Sequence, residues 1–145
     1  MSTVAPTPAS RNTPRKGLNI ALWIAQVLLA LVFGMAGIMK LTQPIPALAQ
    51  MMKWPGDVPW ELVRFIGGME LLGALGILLP AATRVLPRLT PTAALGFVAI
   101  QVLAIPFHIS RGEAAMALPV NIPLLALAIF VAWGRFRAAP VLART

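Results

Sequence analysis

The sequence predicts an all-α membrane protein, an up-and-down bundle of four transmembrane helices. Hydrophobic residues make up 59% of the chain and charged residues only 11%, with a mean hydropathy of +0.83. An ordinary soluble domain has about a quarter charged residues, so this composition indicates a chain that lies in a bilayer. Its 145 residues leave room for four spans of about 20 residues with short loops, and we expect a single membrane domain over residues 18–136.

The N-terminal segment and the first span differ sharply in composition. Residues 1–17 are rich in proline, serine and threonine and contain no acidic residue, which predicts a disordered basic tail. The apolar run 18–39 reaches about 33 Å as a helix, enough to cross the hydrocarbon layer. This run is too long for the apolar region of a cleaved signal peptide, so we expect it to remain as a span.

A proline-rich segment, residues 41–60, separates the first span from the second. Within it, Ile45, Leu48 and Met52 share one helix face, which predicts a short helix lying on the membrane interface. Pro80 is expected to end the second span, because proline removes a helical hydrogen bond. The later spans are predicted at 61–79, 92–109 and 115–133, followed by a C-terminal tail at 137–145.

The basic residues are distributed unevenly between the two sides of the predicted bundle. Eight of the twelve lie in the two tails and in the loop after the second span. The positive-inside rule therefore predicts a multi-pass protein of the cell membrane with both termini in the cytoplasm. The net charge of +8 is explained by this topology and by anionic membrane lipid, so we expect no nucleic-acid partner. The other side holds only Lys40, Lys53, Arg64 and Arg111.

Polar residues that intrude on the spans also concentrate on one side. They lie at the ends of the first and third spans and at the starts of the second and fourth, which meet at the same side of an up-and-down bundle. We expect them to form an outward-facing polar pocket. The candidate ligand-binding residues are Lys40, Arg64, Gln101, Arg111, Glu113 and Asn121.

Glu70 and His108 are the candidate catalytic residues. Glu70 lies near the middle of the second span, so we expect it to be protonated or to pair with a cation or hydrogen-bond donors. Gln101 has a matching depth in the third span, and His108 follows on nearly the same helix face. Alternatively, Glu70 holds helices together on a close-packed seam, since Gly67 and Gly73 flank it. The sequence leaves both roles open.

The residue types that are missing limit the chemistry. The chain has no cysteine and one histidine, which excludes disulfides, iron–sulfur clusters and bis-histidine haem and argues against a zinc site. We therefore expect neither a metal site nor a covalent cofactor. A redox role would require a diffusible or partner-held cofactor.

Three motifs lie on the predicted spans or at their ends: AGIMKL at 36–41, RFIGGMELLGA at 64–74 and FHISRGE at 107–113, with Asn121 downstream. Together they resemble the DoxX-like family of small integral membrane proteins. The resemblance extends over about residues 18–136 and implies a four-helix membrane fold. The positions that match the family motifs are Lys40, Arg64, Glu70, His108, Arg111, Glu113 and Asn121.

The resemblance also implies a class of function. The family takes its name from a membrane subunit of a thiosulfate:quinone oxidoreductase, and other relatives are associated with membrane oxidoreductase complexes. It therefore implies a redox-linked subunit that interacts with quinone and with other membrane or redox proteins. Two alternatives stay open: a non-catalytic membrane partner or assembly factor, and a stand-alone membrane enzyme acting on a lipophilic substrate.

Overall fold

The protein is an all-α bundle in a computed structural model that describes residues 13–145. Within this range there is no β-strand. The four longer helices are long and apolar enough to cross a membrane, which confirms the predicted fold class and a multi-pass membrane protein. The α-helices are α1 (Thr13–Thr42), α2 (Ile45–Met52), α3 (Trp60–Thr83), α4 (Leu89–Ser110) and α5 (Ala114–Trp133).

The first helix begins earlier than the apolar run that predicted it. Residues 1–12 of the predicted disordered tail, residues 1–17, lie outside the described part of the chain. From Thr13 onward the chain is helical, five residues ahead of the predicted span at Leu18. Pro14 lies in the first turn, where its missing N–H removes no helical hydrogen bond. The composition of the segment thus does not prevent α1 from extending into it.

The second spanning helix, α3, continues through Pro80 to Thr83, so the expectation that Pro80 ends it is wrong. The fixed φ of proline is compatible with a helix, and the lost hydrogen bond does not outweigh the packing of a buried residue. The helix ends because Arg84 adopts a left-handed conformation with a φ of 62°. Helix α5 likewise contains two internal prolines, Pro119 and Pro123.

The main hydrophobic core lies where the four long helices meet. Phe33 of α1 stacks on Phe97 of α4, with ring centroids 3.9 Å apart. Leu29, Ile77 and Val131 from α1, α3 and α5 belong to the same buried cluster. Large apolar side chains on the outer faces remain exposed, as expected for helices that face lipid.

Glycines bring α1 and α3 into backbone contact. A Cβ added to Gly37 would lie 2.7 Å from the carbonyl oxygen of Gly67, and one added to Gly67 would lie 2.7 Å from the Cβ of Lys40. On the other side of α3, a Cβ on Gly73 would lie 2.5 Å from the ring of Phe97. These residues form the glycine seam, which lets three helices pack closely.

The short helix predicted from Ile45 to Met52 is confirmed as α2. Leu48 is fully buried and forms a small second core with Trp54 and Val63. Helix α2 therefore packs over one end of the bundle, which we call the α2 end. The opposite end, the tail end, contains the loop 84–88 and the C-terminal residues. There the N–H of Arg144 donates to the carbonyl of Arg84 at 3.0 Å.

Candidate functional site

A buried ion pair links α1 and α3 in the α2 half of the bundle. The ammonium of Lys40 lies 2.9 Å from Oε1 and 2.7 Å from Oε2 of Glu70. Both side chains are only 7% exposed. Of the states expected for Glu70, the structure shows pairing with a cation. Burying such a pair is favourable only if the two charges meet in close geometry, and this contact provides it.

Lys40 reaches Glu70 along the glycine seam. It lies two residues before the end of α1, and its Cβ occupies the space that a side chain on Gly67 would need. Gly67 precedes Glu70 by three residues, about one helical turn. The stem of Lys40 therefore runs inward past Gly67, and the missing side chain of this glycine makes room for the pair.

Arg64 caps the C-terminal end of α1, next to the Lys40–Glu70 pair. Its Nη1 donates to the carbonyl of Lys40, and its Nη2 donates to the carbonyl of Gln43 at 2.8 Å. The last carbonyls of a helix have no partner within the helix and carry partial negative charge. Arg64 satisfies two of them and so fixes the backbone from which Lys40 projects.

A second polar cluster lies at the α2 end, around the loop between α4 and α5. Nδ1 of His108 lies 2.8 Å from Oε2 of Glu113, and Nε of Arg111 donates to Oε1 of Glu113 at 3.0 Å. Nη2 of Arg111 donates to Asp57 at 2.5 Å, and its guanidinium lies over the ring of Phe107. This set of His108, Arg111, Glu113 and Asp57 is the loop cluster.

Charge partners shift the protonation equilibria of the loop cluster. The hydrogen bond from His108 lowers the pKa of Glu113 below its ordinary value, and Arg111 adds to this effect while burial opposes it. The hydrogen bond to Asp57 raises the pKa of Arg111 further above its already high value. Glu113 is therefore a carboxylate at neutral pH and fixes the orientation of the imidazole of His108.

The loop geometry explains why the cluster forms. Gly112 has a φ of 71°, a conformation that glycine adopts without steric cost. This turn brings Arg111 and Glu113 back toward His108 at the end of α4. Sequence reasoning missed Asp57, which lies in the proline-rich segment. Asp57 is one of only four acidic residues in the chain, and it lies on the side of the bundle with few basic residues. This was the sequence signal that it could pair with one of them.

Two predicted residues stand apart from both clusters. Gln101 is 2% exposed on α4, and Asn121 is half-buried on α5. Within residues 13–145 neither side chain makes a hydrogen bond. The structure therefore brings together Lys40, Glu70 and Arg64 in one group and His108, Arg111 and Glu113 in another, and it joins Gln101 and Asn121 to neither.

An apolar hollow lies on α5 directly after Glu113. It has a volume of about 630 Å³ and opens on the outer surface of the bundle. Two prolines one turn apart, Pro119 and Pro123, interrupt the regular helix surface here. The hollow is lined by Ala114, Ala115, Leu118, Pro119, Ile122 and Pro123. An apolar molecule seated on this face would have its polar end beside the loop cluster.

A further polar network lies at the tail end, and sequence reasoning missed it. The side chain of Arg135 is buried, and its Nε donates to Oε1 of Gln26 at 2.6 Å. Gln26 in turn donates to the carbonyl of Ile77 at 2.8 Å. The position of Gln26 in the middle of the first apolar run was a signal for such a network. In the part of the chain that is described, no group of three or more His, Asp or Glu residues could hold a metal ion.

Comparison with known proteins confirms the resemblance noted in the sequence. The profile of the DoxX-like family matches residues 24–131. This range includes both clusters of the α2 half, from Lys40 to Glu113, and also Gln101 and Asn121. No curated protein and no solved structure matches the chain significantly.

Proposed function

The chain belongs to the DoxX-like family of membrane proteins, and from this premise we propose that it is a redox-linked subunit that binds a quinone in a membrane complex. The observation that supports the proposal most directly is that the lining of the apolar hollow begins at Ala114, one residue after Glu113, which contacts His108. With both termini in the cytoplasm, as the basic residues predict, this site would open to the outer leaflet.

The hollow has the chemistry that a quinone needs. Small-molecule sites are mostly apolar with a few oriented polar groups, and the surface of α5 from Ala114 to Pro123 contributes the apolar part. Glu113 immediately precedes it and anchors His108 and Arg111. A quinone ring on the hollow would direct a carbonyl oxygen toward these two residues, while its isoprenoid tail would extend into lipid.

His108 would transfer a proton to the bound molecule. Its Nδ1 donates to Glu113, so Nε2 is the ring nitrogen that would take up the proton to be transferred and, once protonated, donate to a carbonyl oxygen. Reduction of a quinone to a quinol takes up two electrons and two protons. The electrons would come from a redox partner of the complex, and His108 would pass protons while Glu113 stabilises the imidazolium that forms between transfers.

Glu70 and Lys40 would act as the inner part of the same path. The pair lies deeper than the loop cluster, and intramembrane carboxylates commonly belong to proton relays. Gln101 lies at a matching depth on α4 and is buried. Its amide would hydrogen-bond a water molecule or a second polar group of the ligand between the two clusters.

Quinone retention tests the proposal. The protein would be extracted gently into lipid nanodiscs that contain ubiquinone or menaquinone, and bound quinone would be counted by mass spectrometry. We expect near-stoichiometric retention by the wild type and a loss of about tenfold in affinity in His108→Leu, the size of one hydrogen bond to a charged group. Glu61→Gln is the matched control, because Glu61 is exposed at the same end of the bundle.

Two outcomes would overturn the quinone role. One is a wild-type protein that retains no quinone from either lipid mixture. The other is equal retention by His108→Leu and the control. The non-catalytic alternative would then stand, and it would need a surface other than the glycine seam, because Gly37, Gly67 and Gly73 pack inside the bundle.

A further inference from the structure

Arg135 is a buried cation without a carboxylate partner. It is 3% exposed, and it lies in the π-helical turn Gly134–Ala138 that follows α5. Within residues 13–145 it takes part in no salt bridge, whereas the other buried cation, Lys40, is paired with Glu70. A buried charge without a counter-charge is costly. Its presence therefore requires an explanation other than packing within the chain.

The hydrogen bonds of Arg135 leave one arm of the guanidinium unused. Nε donates to Gln26 at 2.6 Å, and Nη1 donates to Asn19 at 2.7 Å and to the carbonyl of Ala139 at 3.1 Å. Nη2 is buried and has no hydrogen-bond partner. An arginine has five N–H donors in a planar fork, so two donors of Arg135 remain available and point in a fixed direction.

The fork is held in place by its neighbours. Gln26 cannot turn freely, because it also donates to the carbonyl of Ile77. Gly134 brings the π-helical turn against α1, since a Cβ there would overlap the side chain of Leu22. Single π-helical turns are frequent at functional sites. The chain thus builds a rigid support for a guanidinium whose charge it does not neutralise.

The ionisable side chains at the tail end are all basic. All four acidic residues of the chain lie within positions 57–113, and none lies in the loop 84–88 or in the C-terminal residues. The tail end also contains the basic residues Arg15, Lys16, Arg84, Arg88, Arg137 and Arg144. Such a surface attracts anions and raises their local concentration.

Two tryptophans lie near Arg135 and suggest that it lies near the level of the lipid headgroups. Its guanidinium lies 5.5 Å from the ring centre of Trp23, and Trp133 precedes it by two residues. Tryptophans of membrane proteins concentrate at the headgroup level. Asn19, whose Oδ1 accepts from Nη1, is exposed, so the buried guanidinium lies next to a residue on the protein surface.

From these observations we propose that Arg135 forms an oxyanion site, which binds a phosphate group through Nη2. The phosphate belongs to an anionic phospholipid headgroup or to a free phosphate compound at the membrane surface. The phosphate oxygens accept the two unused N–H donors and supply the missing negative charge. The site lies at the opposite end of the bundle from the loop cluster and is independent of the quinone proposal.

Thermal unfolding of the full chain in detergent, combined with native mass spectrometry, tests the site. Three additions are compared: phosphatidylglycerol, phosphatidylcholine and inorganic phosphate. We expect phosphatidylglycerol, inorganic phosphate or both to raise Tm, and phosphatidylcholine to have little effect. Arg135→Gln should bind the active anion about tenfold more weakly, the effect of losing one charge-assisted hydrogen bond. Arg144→Gln removes the same charge from an exposed position of the tail end and should bind as the wild type does.

The three additions also identify the source of the phosphate. Stabilisation by phosphatidylglycerol alone indicates a lipid site, and stabilisation by inorganic phosphate indicates a site for a soluble compound. Arg135→Lys provides a second variant if Arg135→Gln does not fold, because lysine keeps the charge and loses the fork; we expect weaker binding here too. The proposal is overturned if neither anion raises Tm of the wild type, or if Arg144→Gln loses as much affinity as the Arg135 variants.

Discussion

Lys40 contacts both carboxylate oxygens of Glu70 inside the α1–α3 interface, at 2.9 and 2.7 Å. The contact is possible because Gly67 leaves space for the lysine stem. The backbone of Lys40 is held in turn by Arg64. The ion pair therefore depends on the close helix packing at the glycine seam.

Replacing one residue of the Lys40–Glu70 pair should destabilise the protein more than replacing both. Glu70→Leu or Lys40→Met leaves a lone buried charge, and we expect the free energy of unfolding to fall by about 3–5 kcal/mol. The double variant leaves no charge and should lie within about 1 kcal/mol of the wild type or above it. Unfolding in mixed micelles by a denaturing detergent measures all four proteins. A double variant as unstable as the sum of the single variants would show that the residues are not coupled.

Gly67 and its neighbour Gly68 should respond oppositely to alanine. In Gly67→Ala the new methyl would lie 2.7 Å from the Cβ of Lys40, so α1 and α3 must separate, at a cost of about 1–3 kcal/mol. Nothing lies within 4 Å of a Cβ at Gly68. Gly68→Ala should therefore be neutral or stabilise the helix by up to about 1 kcal/mol. Equal Tm values for the two variants would contradict the close packing at Gly67.

The loop cluster should weaken in acid. The pKa of Glu113 is lower in the folded protein than its ordinary value of 4.5. A carboxylate with a lowered pKa contributes stability above its unfolded pKa, and this contribution is lost as the pH falls through the folded value. We expect the Tm difference between the wild type and Glu113→Gln to be constant near neutral pH and to shrink below about pH 4.5. Glu61→Gln, at an exposed position, serves as the control.

The prediction for Glu113 fails if its glutamine variant keeps the full pH dependence of the wild type. In that case the acid-sensitive contact would lie elsewhere. A double variant with Asp57→Asn would then show whether the other acidic partner of Arg111 is responsible, since both carboxylates bind the same guanidinium.

Two buried glutamines should differ in stability and function. Gln26 is bonded to Ile77 and Arg135, and Gln26→Leu removes one hydrogen bond from each, which costs about 1–3 kcal/mol. Gln101 makes no hydrogen bond in the described range, so Gln101→Leu should keep or raise the free energy of unfolding. If Gln101 hydrogen-bonds a ligand, the same variant should reduce quinone retention. A destabilised Gln101→Leu with unchanged quinone retention would assign the residue to packing.

The spans and α2 could be predicted from the sequence because hydrophobic periodicity is a local property of the chain. The partner of Glu70 could not be predicted in this way. Lys40, Arg64 and Arg111 all lie on the same side, and the choice among them depends on how α1 is placed against α3. The close contact at Gly67 sets that placement. A single sequence does not show that this glycine packs against α1.

Three further features of the structure differ from the sequence prediction, and each has a physical cause. Pro80 is a helix breaker in isolation, yet tertiary packing keeps α3 helical beyond it. Arg135 looks like one of several topology-setting charges, because its burial arises from a π-helical turn that composition does not reveal. Asp57 joins the loop cluster only because the segment after α2 folds back toward the loop between α4 and α5.

The pairing of Lys40 with Glu70 should also affect how α3 is accommodated in the membrane. Lys40 lies two residues from the end of α1, so on the isolated helix its ammonium can reach interfacial water. Glu70 lies ten residues inside α3 and has no such route. An isolated α3 would therefore bury this carboxyl group in its protonated form. The ion pair forms when α3 packs against α1, and we expect α1 to stabilise the inserted α3 in this way.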